Sequence, residues 1–137
     1  MSSLIELESM IAEFYRASVE RSQASSSKEI FLTFEKANRQ RMSSLDKVRR
    51  ETVIEMSLEP IMGLALEEHR LHVRRVIEDR NLGDRQKAMA LEDIMQGIYS
   101  EASRKLEYVS AEAFDLLNKF SLESSRRMDM LAAGNRT

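Results

Sequence analysis

The chain has 137 residues, enough for one domain with a real core, and its 23 acidic and 21 basic residues leave a formal net charge of -2. So small a field argues against nucleic-acid and acidic-membrane partners. The absence of cysteine excludes disulfides, thiolate chemistry and iron–sulfur clusters. No basic start precedes an apolar run and no apolar stretch approaches ~18 residues, so neither a signal peptide nor a membrane span is expected, and the cytoplasm is the default compartment.

Apolar residues recur at helical spacing almost throughout, and one Pro and four Gly leave little to interrupt helices. The first helix is read over residues 3–21, with Leu4, Leu7, Ile11, Phe14 or Tyr15, and Val19 on one face. Ser2 or Ser3 caps it, and Glu6 lies at capping-box distance from Ser3. The run from Ser22 to Ser27 is a turn, with Ser26 or Ser27 capping a second helix over 28–55 whose face carries Ile30/Phe31, Phe34, Leu45, Val48 and Thr52. Pro60 suits the start of a third, shorter helix over 61–80. Asn81-Leu82-Gly83-Asp84 breaks the chain, Gly83 closing the third helix and Asp84 capping a fourth over 85–106. Ser110, with Glu112 nearby, is the expected cap of a last helix over 111–133, and the final residues fray.

The expected fold is therefore all-α. Two antiparallel helix pairs (1–57 and 84–133) joined by a crossover over 58–83 that contains a shorter helix make a ferritin-like four-helix bundle. An up-down bundle with short loops is the competing arrangement.

The two halves repeat a pattern. Glu8 precedes Tyr15 by seven residues, and Glu92 precedes Tyr99 by seven. Asn38-Arg39-Gln40-Arg41 begins thirty residues beyond Glu8, and Glu123-Ser124-Ser125-Arg126 begins thirty-one beyond Glu92. Glu8 shares a stripe with Leu4, Ile11 and Tyr15. Glu92 shares one with Ala88, Met95 and Tyr99. Glu123 follows Leu116 and Phe120, while Asn38 and Arg41 interrupt the stripe of Phe31, Phe34, Leu45 and Val48. These polar groups are expected at or near the core. A buried, unpaired carboxylate costs several kcal/mol or is driven to its neutral form, so three such glutamates need cations. The cations are either metal ions or the guanidinium groups of Arg41 and Arg126.

On these residues the chain resembles the rubrerythrin-like branch of the ferritin-like superfamily, a four-helix bundle that holds two iron ions. Its best local matches run from Leu7-Glu8 through Glu13-Phe14-Tyr15 and from Ala90-Leu91-Glu92 through Tyr99. In that family each half supplies a Glu about seven residues before a Tyr, and a Glu-x-x-His on its second helix. The resemblance implies Glu8, Glu92 and Glu123 at metal-ligand positions, with Tyr15 and Tyr99 behind them. Asn38 stands where a ligand Glu would be, and Arg41 and Arg126 stand where the two histidines would be. Asn is a weak neutral ligand and a guanidinium stays protonated, so the resemblance implies a degenerate di-iron site in which Arg41 and Arg126 substitute for metal charge.

Other features point to ordinary helix surfaces and core. His69 and His72 could share a metal with Glu68, but no third and fourth ligand is evident, and they read as surface histidines. The arginines from Arg49 to Arg85 are interleaved with acids and lack aromatic stacking partners. Nine methionines at helical spacing read as core, with an adaptable groove as the alternative.

The function expected is a structural or partner-binding bundle, a homodimer without cofactor, with catalysis left open because half of the expected iron-ligand positions are substituted. One alternative is a non-haem iron oxidoreductase or iron-handling protein of peroxide-reducing or ferroxidase type, using Glu8, Glu92 and Glu123. The other is a helical chaperone or adaptor that binds an amphipathic partner helix.

Overall fold

The computed structural model describes the backbone of residues 2–51 and 54–134 and the side chains of residues 2–50 and 66–133. Five helices account for nearly all of the described backbone: α1 (Ser2–Arg21), α2 (Ser25–Glu51), α3 (Ile54–Glu78), α4 (Asp84–Leu106) and α5 (Ala111–Gly134). Among the described residues there is no strand, and no helix is long and apolar enough to cross a membrane. The chain divides into two compact units, Met1–Leu66 and Glu67–Thr137, with the boundary inside α3.

In the first unit α1 and α2 form an antiparallel hairpin. The pairing runs from Arg49 Nη1 donating to Ser2 Oγ at the open end, through Arg41 and Glu8, to the Tyr15–Phe34 and Tyr15–Phe31 ring contacts nearest the turn. Leu4, Leu7, Ile11, Phe14 and Tyr15 of α1 are buried, as are Phe31, Phe34, Leu45 and Val48 of α2. Phe14 and Tyr15 thus both turn inward, and Val19 and Ile30 are half-buried. Thr52 lies outside the described residues. The turn is shorter than the serine run suggests. The carbonyl of Ala24 accepts the Lys28 amide at 3.1 Å, so α2 starts one turn early and Ser26 and Ser27 lie inside it.

In the second unit α4 and α5 repeat this plan. Arg85 Nη1 donates to the Leu131 carbonyl at 2.9 Å, Arg127 meets Glu92, Ser121 Oγ donates to the Gln96 carbonyl at 3.2 Å, and Tyr99 meets Phe120 nearest the turn. Leu91, Met95, Ile98, Tyr99, Ala102 and Leu106 of α4 are buried with Ala113, Leu117, Phe120 and Leu131 of α5. Ser110 caps α5 as its position predicts, its Oγ accepting the Ala113 amide at 3.2 Å.

Three expectations change. The third helix is not short: α3 has 25 residues and begins at Ile54, so Pro60 lies within it rather than at its start. Gly83 does not close α3, since no described glycine has a positive φ. Gly83 is instead the N-cap of α4 in extended backbone (φ -75, ψ 168), its amide donating to Gln86 Oε1 at 2.9 Å, and Asp84 is the first helical residue. The break after α3 is held by an Asx turn, with the Asn81 amide donating to Asp79 Oδ1 at 2.9 Å.

Ser110→Ala removes the acceptor for an otherwise orphaned amide and should cost about 1 kcal/mol, read as a lowered urea midpoint with unchanged m-value.

Candidate functional site

Each hairpin buries one carboxylate from its first helix against one guanidinium from its second. In the first, Glu8 is 0% exposed and Arg41 2%, and Arg41 Nη1 donates to Glu8 Oε1 at 3.2 Å. In the second, Glu92 is 0% exposed and Arg127 5%, and Arg127 Nη1 stands 3.3 Å from both Glu92 oxygens. The helix period puts these groups inward. Glu8 is one turn from Leu4 and Ile11 on α1, and Glu92 is one turn from Ala88 and Met95 on α4.

The residues around the two pairs correspond as well. Phe34, Asn38, Arg41 and Leu45 of α2 are all buried, and so are Phe120, Ser124, Arg127 and Leu131 of α5 at the same spacing. Tyr15 meets Phe34 edge-on, with centroids 5.4 Å apart and an interplanar angle of 65°. Tyr99 meets Phe120 at 5.3 Å and 65°. Where the first hairpin adds Phe14 and Phe31 around Tyr15, the second has buried Ile98 and Leu117 at the corresponding positions.

Of the residues singled out from sequence, Glu8, Arg41 and Asn38 lie together in the first hairpin, with Tyr15 one heptad from Glu8. Glu92 and Tyr99 take the corresponding places in the second. Glu123 and Arg126 do not. Arg126 is exposed, and Glu123 is half-buried with Oε1 4.0 Å from Lys119 Nζ. Their places on the inner face belong to Ser124 and Arg127. The difference arises at the turn. From Tyr99 to the end of α4 is one residue longer than from Tyr15 to the end of α1, and the α4–α5 loop is one residue longer than the α1–α2 loop. The second half therefore runs two residues behind the first by the time it reaches its arginine, not one. The signal was present in the matching spacing of Phe34-Asn38-Arg41-Leu45 and Phe120-Ser124-Arg127-Leu131.

A further ion-pair cluster escaped the sequence reading. Glu35 is 6% exposed, with its Oε1 3.2 Å from Arg39 Nε and 3.7 Å from Arg16 Nη1. His69 is half-buried and His72 exposed.

The donor set does not fit a pair of iron ions. On each inner face the carboxylate is already engaged by a guanidinium, and the neighbouring polar residue is the amide of Asn38 or the hydroxyl of Ser124. Neither neutral group balances a dication, and the arginine repels one. Among the described residues, no group of three or more His, Cys, Asp or Glu is placed to hold a metal ion. Comparisons with known protein families, with curated proteins and with solved structures find no match to this chain.

What the arrangement does is electrostatic. A guanidinium and a carboxylate in contact inside a low-dielectric core attract strongly, and removing one takes a close counter-charge from the other, which stays buried. Arg127→Met and Arg41→Met should each destabilise the protein by about 3–5 kcal/mol in equilibrium denaturation. Arg126→Met, one residue away but exposed, should stay within about 0.5 kcal/mol of wild type. The double variant Glu92→Leu/Arg127→Met should recover most or all of the loss, because apolar packing is an adequate replacement for a buried ion pair.

Proposed function

We propose that this protein is a non-catalytic, ferritin-like four-helix bundle in which arginine has taken the place of iron, serving a structural or partner-binding role. The observation that carries this reading is the repeated Glu–Arg pair: Glu8 with Arg41 and Glu92 with Arg127. A di-iron bundle of the rubrerythrin type presents a carboxylate from the first helix of each half and further ligands from the second. In support of this reading, α1 and α4 each bury a carboxylate, and α2 and α5 answer with guanidinium groups. A fixed positive charge that cannot dissociate, be chelated or change oxidation state suits a scaffold and is of no use for redox cycling.

Retention of the first-helix glutamates also follows from this reading. Once an arginine occupies the core, its carboxylate partner can no longer be lost alone without leaving an uncompensated cation. Loss of metal and retention of glutamate are then compatible.

Elemental analysis tests the proposal. Protein purified aerobically without chelator, and the same protein after anaerobic incubation with ferrous iron and desalting, should carry substoichiometric iron and show no ferrous-oxidation absorbance. Iron near about two atoms per chain that is lost in Glu92→Ala would overturn the proposal in favour of an iron-handling protein.

A further inference from the structure

The two hairpins keep the same inner face and differ on the outer one. Matching Phe34-Asn38-Arg41-Leu45 of α2 to Phe120-Ser124-Arg127-Leu131 of α5 places Lys36 opposite Leu122, Ser44 opposite Met130 and Lys47 opposite Ala133. Two of these three positions on α2 are lysines and the third is a serine, although α2 exposes Leu32 elsewhere. On α5 the same positions are apolar yet solvent-facing, with Leu122 53% and Met130 47% exposed.

Leu122, Ser125, Arg126, Asp129, Met130 and Ala133 fall at the spacing of a single helical stripe. At its centre stand two opposite charges, Arg126 and Asp129. Both are exposed, and neither forms an ion pair with any described residue. The neighbouring Lys119 and Glu123 face each other along the same helix, 4.0 Å apart.

From this stripe we infer a homodimer interface, in which α5 packs antiparallel against α5 of a second copy about a two-fold axis between Arg126 and Asp129. Such an axis sets Arg126 of one copy opposite Asp129 of the other, and the reverse, so a single residue pair makes two reciprocal contacts. The same register sets Leu122 against Ala133 at both ends and Met130 against Ser125. Each large apolar side chain then meets a small residue, which allows the helices to approach closely. The stripe is its own complement in charge and in shape, and this selects a second copy of the chain as the occupant over an unrelated helix. The seam is shorter than a standard interface, so the dimer is weak, with a dissociation constant on the order of 10–100 μM. The inference rests on the outer face of α5 alone and does not depend on whether the hairpins hold iron.

Sedimentation equilibrium of the full chain across this concentration range tests it. Wild type should follow a monomer–dimer equilibrium. Arg126→Asp and Asp129→Arg should each weaken self-association at least tenfold, by setting like charges together twice. Mixed in equal amounts, the two variants should form a heterodimer with affinity near that of wild type, because every facing pair is again opposite in sign. Leu122→Lys should be monomeric, with circular dichroism and thermal midpoint close to wild type. A wild type that remains monomeric at roughly 1 mM, variants that associate as wild type does, or a mixture no tighter than either variant alone would each overturn the inference.

Discussion

A carboxylate taken out of water must find a positive charge, and in this protein that requirement links the two helices of each hairpin. Glu8 on α1 and Glu92 on α4 are fully buried, and each is met across the hairpin by an arginine, Arg41 on α2 and Arg127 on α5. The pairs add little stability over a well-packed apolar alternative. They do add discrimination. Leucine and phenylalanine tolerate many helix registers, whereas a buried guanidinium that misses its carboxylate is strongly penalised. Of the ways α1 could slide or rotate against α2, few bring Arg41 to Glu8.

The aromatic residues act with the ion pair. One heptad toward the turn from each glutamate a tyrosine packs edge-on to a phenylalanine, Tyr15 with Phe34 and Tyr99 with Phe120, in closely matching geometry. These rings supply apolar area on the same inner face as the charged pair. The first hairpin carries more aromatic area than the second, through Phe14 and Phe31. The charged elements are shared more closely than their apolar surroundings, as expected where volume can be filled in several ways but a charge has few acceptable partners.

Much of this was legible in the sequence. The period of the apolar residues located α1, α4 and α5 to within a residue or so, because each carries a continuous stripe ended by polar turn residues. Glu8, Asn38 and Arg41 were legible as core polar residues for the same reason. The start of α3 was not, because Pro60 was weighted as an N-terminal signal, whereas the helical segment extends several residues upstream of it. Gly83 was misread because glycine serves both ends of helices, and only the backbone angles tell which end it occupies. In the second hairpin a one-residue error in turn length put Glu123 and Arg126 in the places of Ser124 and Arg127. One residue on a helix is about 100° of rotation, enough to exchange an exposed arginine for a buried one.

That rotation also bears on where this chain can change length over evolutionary time. The second hairpin holds two more residues between its tyrosine and its phenylalanine than the first, one in the helix and one in the loop, and the ion pair and ring contact recur regardless. Insertions and deletions near the tip are therefore absorbed by the turn. Between Glu92 and Tyr99, or between Phe120 and Arg127, a single added residue would swing one member of the set off the inner face while its counterpart stayed. Homologous chains should accordingly vary in length at residues 107–110 and hold their spacing along the helical segments that join ring to charge.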